Sequence, residues 1–92
     1  MALDKKILTS HPSGKSGKNI SKQSYDTLNE AILSVLRNME LTHTELLNQL
    51  NKRLTGKFSG NISWYAETVK LDLEARKAIE RTPSKPQRYQ VK

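Results

Sequence analysis

The sequence predicts a mostly α-helical domain that ends in a small β-hairpin. Apolar residues recur at every third or fourth position over three stretches of the chain, which is the pattern of helices buried on one side. Thr42 and Glu45 form a Thr-x-x-Glu capping box, which marks the start of a helix. Near the C-terminus, Tyr89 and Val91 alternate with polar residues after two prolines, as expected of a hairpin strand.

The first two helices are predicted from single apolar stripes. The first covers residues 22–39 and begins at a cap formed by Ser21 or Ser24. The second covers residues 43–54, and Gly56 follows it at a position suited to end a helix. The two buried stripes comprise Tyr25, Leu28, Ile32, Val35, Leu36 and Met39, and then Leu46, Leu47, Leu50 and Leu54.

The third helix is predicted over residues 62–79 and is apolar on two sides. Asn61 or Ser63 is its expected cap. One stripe, expected to pack on the other helices, contains Ile62, Tyr65, Ala66, Val69 and Leu73. The opposite stripe contains Trp64, Leu71, Ala75 and Ala78. A second apolar stripe needs a second cover, which the N-terminal segment, a strand of the hairpin or another subunit can supply.

The two ends of the chain complete the predicted architecture. Residues 5–9 are predicted to form a short strand, and residues 10–20 a flexible basic loop. The C-terminal hairpin has predicted strands near residues 79–82 and 87–91. This order of elements is that of a winged helix-turn-helix. We therefore expect one domain over residues 1–92, divided into a basic arm (1–21), a three-helix core (22–79) and a wing hairpin (80–92).

Most of the chain also resembles a known family. The residues that carry the resemblance are Trp64-Tyr65-x-x-x-Val69-Lys70-Leu71-Asp72-Leu73-Glu74-Ala75-Arg76, Ile79-Glu80-Arg81 and Lys85-Pro86-Gln87-Arg88, with Ile7-Leu8-Thr9 and Tyr25 nearer the N-terminus. They are similar to a family of short, uncharacterised bacterial proteins, a domain of unknown function with a winged-helix-like structure. The resemblance implies the same fold and implies no activity.

The net charge of +7 is concentrated at the two ends of the sequence. Residues 1–22 carry five basic residues and one acidic residue, and residues 80–92 carry four and one. Residues 23–79 carry seven of each and are neutral. Cationic ends of this kind attract polyanions, of which nucleic acid is the commonest.

The charge and the predicted fold together favour a nucleic-acid-binding or transcription-related accessory protein. Its partner would be double-stranded DNA, held through the phosphates. The third helix would approach a groove with Ser63 and Lys70. The expected phosphate contacts are Lys15, Lys18, Lys22, Arg81, Lys85 and Arg88. The argument against DNA is that Glu67, Lys70, Glu74 and Lys77 alternate in sign on a flank expected to be solvated.

The alternative is a protein-interaction or homodimerisation module that does not bind DNA. Trp64, Leu71, Ala75 and Ala78 would form its interface across a two-fold axis. If the N-terminal segment covers this stripe, the residues are part of the core.

Other classes of function have little support in the sequence. The chain has no cysteine, and His11 and His43 lie far apart, so we expect no metal site and no cofactor. We expect no enzyme, because no acid–base set converges. The first residues lack the apolar core of a signal peptide, so we expect a cytoplasmic location.

Overall fold

The N-terminal part of the chain forms a β-hairpin. In the computed structural model, β1 (Lys6–Ser10) pairs antiparallel with β2 (Ser16–Ser21). The residues that the structure describes are 6–10, 14, 16–58 and 60–92. The hairpin therefore includes much of the segment predicted to be a flexible loop. Lys15, one of the predicted phosphate contacts, lies outside the described residues.

Thr9 holds the two strands together at an irregular point in their register. Its hydroxyl accepts a hydrogen bond from the Lys18 N–H (2.8 Å) and donates one to the Lys18 carbonyl (3.1 Å). The backbones approach so closely here that a Cβ on Gly17 would lie 1.7 Å from the Thr9 carbonyl oxygen. Only glycine fits at position 17, which explains a glycine in the middle of a strand.

Three helices follow, and each begins at a residue whose side chain caps it. They are α1 (Lys22–Leu36), α2 (His43–Leu54) and α3 (Ile62–Ala75). Ser21 and Asn61 each accept a hydrogen bond from a backbone N–H of the first turn. At Thr42 both bonds of the predicted capping box are present. The bounds predicted for α2 are confirmed, whereas α1 and α3 end earlier than predicted.

The early end of α3 has a specific cause. Lys77 adopts a left-handed conformation (φ 63°), which is incompatible with continuing the helix. The Lys77 N–H then bonds to the Glu74 carbonyl (3.0 Å), and the Ala78 N–H bonds to the Leu73 carbonyl (2.9 Å). These two bonds are those of a Schellman motif, with lysine where glycine is usual. Ile79 consequently begins a strand instead of ending a helix.

A second, three-stranded antiparallel sheet combines one short strand from the middle of the chain with two strands near the C-terminus. Its strands are β3 (Leu41–Thr42), β4 (Ile79–Arg81) and β5 (Arg88–Val91), in the order β3-β5-β4. Tyr89 on the central strand faces Leu41 on one side and Arg81 on the other. The Lys85–Pro86 peptide bond between β4 and β5 is cis.

The fold is therefore α+β, and the prediction of a mostly α-helical winged helix-turn-helix with one C-terminal hairpin is wrong. Strands occur at both ends of the described chain and form two sheets. Residues 16–21 are mostly polar and include Gly17, so they lack the alternation that identifies a strand. The link at Leu41–Thr42 is too short to show any alternation, and it becomes a strand by pairing with β5.

The core lies where the three helices meet the C-terminal sheet. Leu28, Ile32 and Leu36 of α1 face Leu46 and Leu50 of α2. Val69 and Leu73 of α3 and Ile79 of β4 complete the cluster. All of these side chains are buried, and burying each one contributes roughly 1.5–3 kcal/mol relative to leaving it in water. Because this core holds the helices and the sheet together, it fixes the positions of the polar side chains on their outer surfaces.

Candidate nucleic-acid interface

Two of the predicted phosphate contacts are both exposed and, within the described residues, not held by a carboxylate. Lys18 lies on β2, and Lys85 lies between β4 and β5. Within the described part of the chain, neither forms an ion pair. Ser63 is exposed in the first turn of α3. These three side chains are open to a ligand.

Three other predicted contacts are held by carboxylates. Lys22 Nζ lies 2.6 Å from the nearest oxygen of Asp26. Arg81 Nη2 lies 3.0 Å from Glu74, and its Nε donates to both oxygens of that carboxylate. Arg88 Nη1 lies 3.5 Å from an oxygen of Glu40. The cations near the ends of the sequence therefore neutralise acidic residues from its middle.

Lys70 is not on the surface, because its side chain is only 3% exposed. Its Nζ donates to the Tyr89 hydroxyl (3.1 Å) and to His43 Nδ1 (2.9 Å), and it lies 3.4 Å from a Glu67 oxygen. The ammonium also lies 4.2 Å from the centre of the Tyr89 ring. Lys70 thus joins α3 to α2 and β5, and a phosphate cannot reach it in this conformation.

The histidine of this cluster is kept neutral by its surroundings. Burial lowers the pKa of His43, the nearby charges of Lys70 and Arg81 lower it further, and Glu67 opposes them. With Lys70 donating to Nδ1, the ring proton belongs on Nε2, which lies 3.4 Å from Glu67. A proton added at Nδ1 would point at the Lys70 ammonium, so that two donors would face each other with no acceptor between them. The cluster is therefore a structural tie whose groups satisfy one another.

Asp72 forms a second tie, which we did not predict from the sequence. Its carboxylate is fully buried in α3 and accepts hydrogen bonds from the Ser10 N–H (2.8 Å) and the Tyr25 hydroxyl. Arg76 Nε supplies the balancing charge at 2.8 Å. Burial, with Asp72 beside it, raises the pKa of Tyr25 to about 12. One carboxylate thus joins β1, α1 and α3. The signal in the sequence was the i,i+4 spacing of Asp72 and Arg76 on a helix apolar on two sides.

The second apolar stripe of α3 is only partly covered. Trp64 is 44% exposed, and its one aromatic neighbour among the described residues is Tyr65, in an edge-on contact. Leu71, Ala75 and Ala78 are half-buried. Beside Trp64 a cleft of about 210 Å³ opens between α3 and the N-terminal hairpin. It is lined by Thr9, Ser10, Gly17, Lys18, Trp64, Glu67, Thr68 and Leu71.

A different surface carries basic residues that sequence reasoning did not single out. Between α1 and the end of α2 lies an open groove of about 430 Å³. We call it the α1/α2 groove, and its lining residues are Thr27, Glu30, Ala31, Ser34, Lys52, Arg53, Leu54 and Lys57. Its cations, Lys52, Arg53 and Lys57, belong to the neutral middle of the sequence, and within the described residues none of them forms an ion pair.

The fold and these surfaces define a small basic α+β protein in which two antiparallel sheets flank three helices. The chain belongs to a family of unknown function, DUF6958, whose family model matches residues 6–89. The resemblance to a family of unknown function is therefore confirmed. No curated protein and no solved structure matches the chain significantly. Among the described residues, no helix combines the length and the apolar character needed to cross a membrane.

Proposed function

We propose that this protein is a nucleic-acid-binding accessory protein that holds duplex DNA through its phosphates. The observation that carries the proposal is an excess of cations that remain after ion pairing. The net charge is +7, and most of the acidic side chains are already paired. The paired carboxylates are Asp26, Glu40, Glu67, Asp72 and Glu74.

The cations without a carboxylate partner are the ones that can release counterions from a phosphate backbone. Lys18 and Lys85, from the predicted set, are of this kind. Within the described residues, so are three cations at the end of α2 and just after it, Lys52, Arg53 and Lys57. Such contacts give affinity without reading bases, so we propose binding that depends weakly on sequence. Lys70 has no part in this proposal because it is buried.

Fluorescence anisotropy with labelled duplex DNA over a salt series tests the proposal. Each neutralised phosphate adds about 0.9 to the slope of log affinity against log salt, so several contacts give a steep decline. We expect measurable binding at low salt, with similar affinity for duplexes of unrelated sequence. No binding at low salt would overturn the proposal, and a salt-independent affinity would show that phosphates are not the contact.

The second candidate function is homodimerisation through the Trp64/Leu71 face. The observation in its favour is that Trp64 remains 44% exposed beside an apolar cleft. In a two-fold arrangement the same face of both copies meets, so each Trp64 would lie against the cleft of the other copy. Light scattering of Leu71→Asp tests this candidate. Leu8→Asp is the matched control, because Leu8 is also exposed (66%) but lies outside the cleft.

A dimer that Leu71→Asp dissociates and Leu8→Asp preserves would support this candidate. A wild-type protein that is monomeric at high concentration would exclude it.

A further inference from the structure

We propose that the α1/α2 groove is the place where the nucleic-acid backbone lies, with Lys52, Arg53 and Lys57 as its phosphate contacts. The inference rests on the proposed function and names the surface that performs it. It moves the main contact away from the ends of the chain, where the sequence concentrates its positive charge, to a surface formed by α1 and the end of α2.

The α1/α2 groove carries an excess of positive charge. Three cations line the groove, and within the described chain none of them forms an ion pair. Glu30 is the one acidic residue in the lining. By contrast, Arg81 and Arg88 of the C-terminal sheet and Lys22 of α1 each lie against a carboxylate. A phosphate in the groove gains attraction without first breaking an ion pair.

The groove also has a shape that can hold an extended backbone. It is concave, with a volume of about 430 Å³, and the buried Ala31 and Leu54 lie at its base. Arg53 Nη1 donates to the Ser34 hydroxyl (3.2 Å), which orients the guanidinium across the groove. A guanidinium has five N–H donors, so the remaining ones are open to phosphate oxygens. Concave surfaces lined by one sign of charge also raise the local concentration of the opposite ion.

The remaining polar groups of the lining are two hydroxyls and one carboxylate. The hydroxyls of Thr27 and Ser34 are neutral groups of the type that commonly contact phosphate oxygens. Glu30 is the unfavourable member, because its carboxylate repels a phosphate. This repulsion lowers the affinity. Removing the Glu30 carboxylate should therefore strengthen DNA binding, whereas removing a groove lysine should weaken it.

The experiment compares the DNA affinity of variants of the 92-residue chain by anisotropy at about 0.15 M salt, where the screening length is about 8 Å and distant charges contribute little. The groove variant is Lys52→Gln with Lys57→Gln. The control is Lys77→Gln with Lys92→Gln, which removes the same charge from exposed positions outside the groove. A third protein carries Glu30→Gln.

We expect the groove variant to lose about tenfold in affinity and its salt slope to fall by about two, one for each lost contact. The control should change affinity by less than about twofold because of screening. Glu30→Gln should bind about twofold more tightly, because it removes a carboxylate that repels the phosphate. Lys52→Arg with Lys57→Arg should retain the wild-type affinity, which separates loss of charge from loss of folding.

The failures of the two proposals are distinguishable. If the wild-type protein does not bind DNA at low salt, the proposed function fails and this inference fails with it. If the wild-type protein binds with a steep salt slope but the groove variant binds equally well, or the control loses as much, only the groove assignment is overturned.

Discussion

On helix α3, Lys70 is buried among His43, Glu67 and Tyr89, whereas along the α1/α2 groove Lys52 and Lys57 extend into solvent, with no ion pair in the described structure. All three lysines come from residues 23–79, the part of the sequence that is neutral as a whole. The difference shows that the position of a charge in the sequence does not determine whether a ligand can use it. A ligand can use a charge only when the fold leaves it exposed and does not place it in an ion pair.

The same contrast separates two roles for a basic residue. A buried, paired cation stabilises the fold, and its loss should lower stability. An exposed, unpaired cation contributes little to stability, and its loss should affect only binding. The predictions below test the α3 side of this comparison, from the largest expected effect to the smallest.

Replacing Asp72 should have the largest effect. Asp72→Ala leaves the Tyr25 hydroxyl and the Ser10 N–H without their partner, and each such loss costs about 1–3 kcal/mol. We expect the free energy of unfolding, measured with urea, to fall by about 3 kcal/mol. Asp72→Asn keeps an acceptor and should cost clearly less. A loss below about 1 kcal/mol for Asp72→Ala would show that this tie does not hold β1 and α1 to α3.

Lys70→Ala should have the next largest effect. It removes the donor to Tyr89 and leaves a void beside β5, so we expect a loss of about 2 kcal/mol. Lys70→Met keeps the buried stem and should lose about half as much, because the hydrocarbon part of lysine also packs. Both variants should bind DNA like the wild type. A large loss of DNA affinity in a folded Lys70→Met protein would show that Lys70 is part of the DNA interface.

The Lys70 cluster should also make stability depend on pH. The pKa of His43 is lowered in the folded protein, so the unfolded chain takes up a proton near pH 6.5 while the folded one resists it. The stability that neutral His43 contributes to the fold is therefore complete above about pH 6.5. It is lost as the pH falls toward the lower pKa that His43 has in the folded protein. We expect the decline in melting temperature between about pH 7.5 and pH 5.5 to be smaller in His43→Gln. If the melting temperature of His43→Gln declines as much as that of the wild type, His43 is not the cause of the pH dependence.

Lys77 gives the smallest expected effect and one of opposite sign. Its φ of 63° suits glycine, so Lys77→Gly should raise the free energy of unfolding by about 0.5–1 kcal/mol. The substitution also removes a cation near the end of α3 while leaving the groove intact. The DNA affinity should therefore stay within about twofold of the wild type. Destabilisation measured by urea would contradict the assigned role of the Schellman motif.

The sequence predicted the helices well because their signals are local. The Thr42–Glu45 capping box and the leucine stripe that follows are sufficient to define α2 to the residue. The end of α3 was missed because nothing in Lys77 as a residue type indicates a positive φ. The first strand of the N-terminal hairpin was predicted, but the second was missed because the Thr9–Lys18 contacts, which hold that polar strand, join residues nine positions apart.

The charged surfaces were harder to predict because ion pairs are long-range properties. Counting charges along the chain correctly located the basic segments but could not show that Arg81 would pair with Glu74. Lys70 follows Ala66 by four positions and precedes Leu73 by three, which was a local sign that it lies on the buried side. The placement of Lys52 and Lys57 beside α1 required the tertiary structure.

Mapping the backbone amide signals of the ¹⁵N-labelled protein by NMR during titration with duplex DNA tests the central claim most directly. The account predicts the largest shift changes in residues 27–34 and 52–57, the two segments that form the groove. Changes concentrated around Trp64 or along β4 and β5, with the groove unaffected, would contradict it.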